Sequence, residues 1–133
     1  MSDIRLGIIG AGNIANEHLK IIQALDGVSV VGMTSRTWSK AEELAKTFHI
    51  DHVYETADLL LEGCSPDGIM VLVSANQIYN VAINLLPTGI PLFLEKPPGL
   101  VPEQTKILAD VADKYRTKNM VGFNRRYYSI FHK

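Results

Sequence analysis

The sequence contains a single cysteine, so no disulfide bond can form within the chain and a disulfide framework is excluded. No apolar run approaches the roughly 20 residues that a membrane-spanning helix needs. The first residues lack the basic and apolar segments of a secretory signal peptide, and we expect a cytoplasmic protein. A net charge of −1 gives no general attraction to nucleic acid or to a membrane surface, so neither is expected as a partner.

What the sequence does contain is enough apolar material for one ordinary domain. Hydrophobic residues make up 47% and charged residues 20% of the 133 positions. Short apolar runs alternate with segments in which apolar residues recur at helical spacing. The predicted strands are 4–9, 28–33, 52–54, 68–73, 91–94 and 119–123. The predicted helices are 13–25, 39–48, 56–63, one that begins near Asn76 and one that begins at Pro102, with Ser39, Thr56 and Asn76 as helix caps.

This alternation predicts an α/β fold of the Rossmann type, a doubly wound and mostly parallel six-stranded sheet with helices on both faces. The run at 68–73 is the most apolar and is expected at the centre of the sheet. Ligands of such sheets bind beyond the carboxyl ends of the strands. The residues that directly follow each strand are therefore the candidates for a binding site.

The first of these places is "GAGNIA", Gly10 to Ala15, between the first strand and the first helix. Gly10 is predicted to permit the tight turn, and Gly12 to let a pyrophosphate approach the backbone. The helix start at Asn13 and Ile14 would favour the charge of that group. Ala15 stands at the position of a third glycine. The context favours a dinucleotide site over the alternative, a tight turn that binds nothing.

The second place is the end of the second strand, which holds Ser35 and Arg36. An acidic residue usually binds the free ribose 2′-hydroxyl of NAD at this point. A serine does not repel a 2′-phosphate, and a guanidinium can pair with it. We therefore predict NADP as the cofactor, with NAD as the alternative and a solvated loop arginine as the other interpretation. Trp38 either covers the adenine or packs at the start of a helix.

The third place is "LFLEKPPG", the end of the fifth predicted strand. Glu95 and Lys96 are expected to face the same crevice, and Pro97 biases Lys96 toward an extended backbone. An amine held at a fixed point over the cofactor can assist proton transfer, which makes Lys96 the candidate catalytic residue. The alternative is a surface ion pair between Glu95 and Lys96 that contributes little.

Three motifs in order, "GAGNIA", "LEKPPGL" and "GFNRRY" (122–127), resemble the Gfo/Idh/MocA family of glucose–fructose oxidoreductase and inositol dehydrogenase. The resemblance spans the whole chain. It implies that Lys96 lies near the nicotinamide and the substrate hydroxyl, and that Glu95 lies near the nicotinamide ribose. It also implies an oxidoreductase that transfers hydride to or from a sugar, polyol, inositol or nucleotide-sugar.

The turn "SANQIY" is similar to the Thr-Pro-Asn turn of that family, which implies cofactor contacts for Ser74 and Asn76. Ala75 and Tyr79 stand where the family usually has proline and histidine. Family enzymes carry a second, α+β domain that holds the substrate and forms the oligomer interface. Its catalytic histidine lies four positions after an aspartate, and none of the four histidines here has an aspartate at that spacing.

We therefore expect residues 1–122 to form the dinucleotide-binding domain and residues 123–133 to begin the crossover to a second domain that the chain lacks. Such a chain, a fragment or a truncated product, would bind cofactor without turnover. A homo-oligomer stays an open expectation. Two other functions also stay open, a regulatory protein that senses NADP and an interaction module that binds a partner near "YYSIF" (127–131).

Four further side chains are expected to have no chemical role. His18 is expected to be a packed helix histidine, because it lies one turn from Ile14 and one turn from Ile22. Cys64 is expected to be inert. His49 and His52 lack matching ligands, so no metal site is predicted.

Overall fold

Six strands alternate with five α-helices in the computed structural model, which describes residues 3–131. The strands are β1 (Ile4–Ile9), β2 (Val28–Thr34), β3 (Val53–Tyr54), β4 (Gly68–Val71), β5 (Leu92–Leu94) and β6 (Asn119–Val121). The helices are α1 (Asn13–Ile22), α2 (Trp38–Phe48), α3 (Ala57–Cys64), α4 (Ala75–Leu85) and α5 (Pro102–Tyr115). Short 3₁₀ turns lie at Leu86–Thr88, Asn124–Tyr127 and Ser129–Phe131.

The strands form one sheet in the order β3-β2-β1-β4-β5-β6, and every neighbouring pair is parallel. The chain begins in the middle at β1, builds outward to β3, then returns to β4 beside β1 and builds outward to β6. The predicted Rossmann-type α/β fold is confirmed, and the apolar strand β4 lies at the centre as expected. The order reverses between β1 and β4, which is the point where such sheets bind ligands.

Two hydrophobic clusters cover the two faces of the sheet, because neighbouring strand residues point to opposite sides. Ile8 belongs to the cluster under α1 and α2, whereas Ile9 belongs to the cluster under α4 and α5. Buried helix residues at helical spacing complete each cluster: Ala15, Leu19, Ile22, Ala41 and Ala45 on one face, and Ile78, Ala82, Leu85, Leu108 and Ala112 on the other. Burial on both faces explains why β4 reads as a continuous apolar run.

Two of the three predicted helix caps are wrong. α2 begins at Trp38 with Thr37 at the cap position, and α4 begins at Ala75 with Ser74 at the cap position, so Ser39 and Asn76 already lie inside helices. Thr56 is confirmed as a cap, since its hydroxyl accepts a hydrogen bond from Leu59 N at 3.2 Å.

Several element ends also differ from the prediction by two or three residues. α1 ends at Ile22 rather than at residue 25, because Ala24 N and Leu25 N bond three residues back and tighten the chain toward Gly27, which has a φ of 75°. β4 ends at Val71. β6 ends at Val121, where a hydrogen bond from Phe123 N to the Val121 carbonyl turns the chain away.

Three large side chains near the end of the described part of the chain are strongly exposed. Tyr127, Tyr128 and Ile130 expose 66%, 55% and 72% of their surface, which keeps the predicted interaction surface near "YYSIF" accessible in this chain. The predicted crossover segment 123–133 extends two residues beyond the described part. No helix between residues 3 and 131 has the length and apolar character needed to cross a membrane.

Gly10, directly after β1, lies against the backbone of Leu72. Its φ of 112° lies in the region that side chains other than glycine rarely adopt, and a Cβ there would overlap the Leu72 carbonyl. Gly10 N also donates to the Thr34 carbonyl at 2.8 Å. The ends of β1, β2 and β4 therefore converge on a position that only glycine can occupy.

We expect Gly10→Ala to lower the free energy of unfolding by at least about 3 kcal/mol, because backbone strain and overpacking act together. Gly89→Ala is the matched control, since Gly89 also has a positive φ, 74°, but faces open space. That control should lose only the backbone contribution, about 1–2 kcal/mol. Urea unfolding of the three proteins measures both losses, and equal losses would contradict the close approach at Leu72.

Candidate functional site

A crevice opens beyond the carboxyl ends of β1 and β4, because the helices that follow them leave toward opposite faces. α1 packs in the cluster on one face and α4 in the cluster on the other. The crevice holds a cavity of about 900 Å³, within the size range of small-molecule sites. The architecture thus supplies a ligand-sized space where the strand order reverses.

The register of the sheet aligns the last residues of all six strands in one row. Thr34 pairs with Ile9, Ile9 with Val71, Val71 with Leu94, and Leu94 with Val121. The residue after each strand therefore falls in the next row along the same edge. This row contains Glu55, Ser35, Gly10, Leu72, Glu95 and Gly122.

The cavity brings together most of the cofactor-binding residues predicted from the sequence. Lining it are Gly10, Gly12, Asn13, Ile14, Ser35, Arg36 and Ser74. Asn76, Glu95 and Lys96 do not line it. Asn76 lies beside the cavity, where its Oδ1 accepts a hydrogen bond of 2.8 Å from the Ser74 hydroxyl. The contacts with a cofactor that were predicted for Asn76, Glu95 and Lys96 stay predictions.

Gly12 forms an open cradle at the start of α1. A Cβ built at Gly12 meets nothing within 4 Å, so the absent side chain leaves free space in the wall of the cavity. No described side chain caps the start of α1, and its first turn contains no acidic residue. The first backbone N–H groups of a helix lack intrahelical partners and attract anions. The residues present therefore fit the pyrophosphate of a dinucleotide.

The end of β2 contributes two cations to the cavity, Arg36 and Lys40. Lys40 lies in the first turn of α2 and was missed from the sequence, although its place four residues after Arg36 at a helix start was visible there. Ser35 Oγ accepts a hydrogen bond from Thr37 N at 3.3 Å and shapes this turn. Glu55 and Asp58 line the same cavity near the start of α3.

Lys96 lies in a different place, a second cleft that it lines with Phe123, Asn124, Arg125 and Arg126. Lys96 is exposed, and the peptide bond to Pro97 is cis. Arg126 lies over the Phe123 ring, 5.5 Å from its centroid. The cleft is thus cationic and has one aromatic wall.

The partner of Glu95 is not the Lys96 ammonium. Within residues 3–131 the ion pairs are His18–Glu95, Lys20–Glu17 and Lys106–Asp110, so the alternative of a Glu95–Lys96 surface pair is wrong. Glu95 Oε1 lies 2.7 Å from His18 Nε2, and Glu95 Oε2 accepts a hydrogen bond of 3.3 Å from Lys96 N. The carboxylate therefore fixes the strand end from which Lys96 projects.

His18 is packed, as expected, but it also takes part in this group. Its ring meets Phe93 edge to face, with centroids 5.3 Å apart and planes at 70°. A sequence signal was available, because His18 lies beside Leu19 and between Ala15 and Ile22 on the buried side of α1. A polar side chain on that side requires a partner.

Three side chains noted in the sequence line neither cleft: Trp38, Tyr79 and Cys64. Trp38 is the first residue of α2, is 41% exposed and does not line the cavity, and a contact with the adenine stays a prediction. Tyr79 packs partly buried against the cluster under α4 and α5. Burial raises the pKa of the Cys64 thiol, whose Sγ donates to the Leu60 carbonyl, so this thiol keeps its proton at neutral pH.

Comparison with known proteins gives consistent matches. The model of the Gfo/Idh/MocA oxidoreductase family, NAD-binding Rossmann fold, matches residues 4–123. The rhizopine catabolism protein MocA of Rhizobium meliloti is 28% identical over 96% of this chain and 39% of the relative. Glucose-6-phosphate 3-dehydrogenase of Bacillus subtilis is 30% identical over 94% of this chain and 35% of the relative. The chain thus spans less than half the length of these curated relatives.

Solved structures with the same fold have been crystallised with either dinucleotide. A 3-ketoreductase from Actinomadura kijaniata in complex with TDP-benzene and NADP is 26% identical, with a TM-score of 0.85 over 96% of this chain and 39% of that protein. An oxidoreductase from Agrobacterium radiobacter in complex with NAD⁺, L-tartaric acid and magnesium shares the fold at 16% identity. Its TM-score is 0.88 over 94% of this chain and 36% of that protein.

We expect Gly12→Ala to weaken dinucleotide binding at least about tenfold, the loss of roughly one charged hydrogen bond, because a methyl group would fill the cradle. The melting temperature should stay near that of the parent, since φ at Gly12 is −89° and the added Cβ meets no atom. Calorimetric titration with NADPH and thermal unfolding of both proteins test this. Unchanged affinity in a folded Gly12→Ala protein would contradict a pyrophosphate at this position.

Proposed function

Because the chain belongs to the Gfo/Idh/MocA oxidoreductase family and carries its NAD(P)-binding Rossmann domain, we propose that it is the cofactor-binding part of a dehydrogenase. The reaction would transfer hydride between a nicotinamide cofactor and a carbinol or ketone carbon of a sugar, polyol, inositol or nucleotide-sugar. Relatives named for glucose 6-phosphate and for inositol support this substrate class.

One observation carries the proposal, the cavity at the β1–β4 switch with its open glycine cradle. A dinucleotide binds across such a crevice, with one nucleotide half on each side of the switch. Arg36 on the β2 side would hold the adenosine half. The nicotinamide half would then extend over β4 and β5, toward Ser74 and Glu95. A bound cofactor supplies or accepts the hydride, and the residues of this chain hold it in place.

We further propose a preference for NADP over NAD. Two cations, Arg36 and Lys40, line the cavity beside the end of β2, and no acidic residue lies between Thr34 and Ser39. Charged hydrogen bonds of this kind recognise a phosphate well. Glu55 and Asp58 line the same cavity, and their carboxylates would favour ribose hydroxyls. The choice between NADP and NAD therefore depends on whether the cationic pair or the acidic pair lies closer to the adenosine ribose.

We expect Arg36→Ala to weaken NADPH binding by about 1.5–3 kcal/mol and to change NADH binding little, because only NADPH carries the 2′-phosphate. Lys40→Ala should act in the same direction. Lys46→Ala is the control, since Lys46 lies in the last turn of the same helix, is exposed and does not line the cavity. Calorimetric titration of each variant with both cofactors measures the effect. Equal affinity of the parent for NADH and NADPH would contradict the preference.

Lys96 is proposed to handle the proton that accompanies hydride transfer. An alcohol must lose its hydroxyl proton when it is oxidised, and an amine at a fixed position can accept it. Lys96 projects from a strand end held by the Glu95 carboxylate, beside the cleft formed with residues 123–126. The cationic cleft would bind the polar substrate next to the nicotinamide half of the cofactor.

In a catalytically active protein that joins this chain to a substrate domain, Lys96→Ala should lower turnover by about 10²–10⁴-fold. Lys96→Arg should not restore it, because a guanidinium cannot give up its proton. Lys106→Ala is the control, since it breaks an exposed ion pair with Asp110 that contributes little. Near-normal turnover of Lys96→Ala in steady-state assays would refute the role. If a version with a substrate domain binds NADPH tightly but shows no turnover, that result would instead favour a sensing protein.

A further inference from the structure

The His18–Glu95 contact joins two segments that are 77 residues apart in the chain. His18 lies on α1, the helix whose N-terminal end is the Gly12 cradle. Glu95 follows β5 and directly precedes Lys96. The two side chains expose only 22% and 12% of their surface, so the contact is largely shielded from water. Neither side chain lines the glycine cavity, and the proposed function assigns no role to His18.

The contact fixes the direction of the hydrogen bond. An ionised carboxylate has only acceptor atoms, so the imidazole Nε2–H is the donor of this hydrogen bond and Glu95 Oε1 is the acceptor. Glu95 Oε2 meanwhile accepts from Lys96 N. Both carboxylate oxygens are therefore engaged, one by a helix side chain and the other by the backbone that positions Lys96.

Other residues hold this pair from two sides. The edge-to-face contact with Phe93 keeps the His18 ring against β5. Gly122, which follows β6, packs against the same group. A Cβ at Gly122 would lie 2.8 Å from Phe93 Cζ and 3.3 Å from Glu95 Oε1, so the absence of a side chain there leaves space for both residues. The pair thus lies in a closed packing group contributed by α1, β5 and the end of β6.

The position of His18 along α1 places it between the Gly12 cradle and the strand end at Glu95. His18 lies six residues after Gly12, which corresponds to about 9 Å along a helix axis. One short helix therefore carries the pyrophosphate cradle at its start and, less than two turns later, the donor that holds the Glu95 carboxylate. Movement of this helix relative to β5 would separate the cradle from the strand end that bears Lys96.

We propose that His18 is a positioning residue for the nicotinamide half of the cofactor. It acts through Glu95, whose carboxylate it holds at the strand end beside the place proposed for the nicotinamide ribose, and it keeps the Gly12 cradle and Lys96 at a fixed separation. This inference rests on the proposed function. It differs from a purely structural role in one respect: binding of the nicotinamide half of the cofactor should depend on His18, and binding of the adenosine half should not.

The test compares NADPH with 2′-phospho-ADP, which lacks both the nicotinamide and its ribose, by calorimetric titration of the 133-residue chain. NADH and ADP serve in the same way if the parent prefers them. In His18→Phe, which keeps a ring against Phe93 but removes the donor, NADPH affinity should fall about tenfold. The affinity for 2′-phospho-ADP should change less than about twofold. His18→Gln, which keeps an N–H donor, should retain most of the parent's NADPH affinity.

His52→Phe is the matched control. His52 also lies near an aromatic ring, 6.1 Å from that of Tyr54, but at the opposite edge of the sheet and outside the cavity. It should change neither affinity. Glu95→Ala removes the other side of the contact and should reproduce the selective loss of His18→Phe, which keeps the test decisive if His18→Phe does not fold.

The outcomes distinguish the positioning role of His18 from the proposed function of the chain. A selective loss for NADPH, with recovery in His18→Gln, supports the positioning role. Equal losses for both ligands together with a lower melting temperature would overturn it and leave His18 as a structural residue. Unchanged affinities would overturn it as well. Failure of the parent to bind any of the four ligands would overturn the proposed function, and this inference with it.

Discussion

The close approach of two backbones at Gly10 is the constraint on which the site depends. β1 and β4 lie side by side, and the Leu72 carbonyl occupies the space that a Cβ of Gly10 would need. Because nothing separates the strands at this point, the chain can turn sharply after β1 and start α1 at once. The start of that helix then faces the crevice rather than the sheet, with its free N–H groups directed at the ligand space.

The crevice itself follows from the packing of the two faces. α1 and α4 follow adjacent strands, yet each must bury its apolar residues on a different face of the sheet. The two helices therefore diverge, and the space between their starts cannot be filled by either hydrophobic cluster. The 900 Å³ cavity is the geometric consequence of covering both faces of a parallel sheet.

Charged side chains are distributed unevenly along the carboxyl edge of the sheet. Cations lie beside β2, at Arg36 and Lys40, and again beside β5 and β6, at Lys96 and Arg125. Between them lies the uncharged glycine loop, where backbone N–H groups take the place of side chains. Glu95 is a largely shielded anion of this row, and its pairing with His18 satisfies a carboxylate that has lost most of its contact with water.

The sequence by itself determined the local elements and the chemistry of the glycine loop. Strand and helix periodicity, the turn at Gly10 and the cap at Thr56 depend on neighbours a few residues away, so they are readable along the chain. The tertiary structure decided which distant residues meet. Nothing local relates Glu95 to His18. The alternative pair of Glu95 with Lys96 was wrong because the Glu95 carboxylate meets α1, whereas Lys96 lines the cleft with residues 123–126. Strand order and register, set by burying both faces of the sheet, brought α1 against β5 and made that contact.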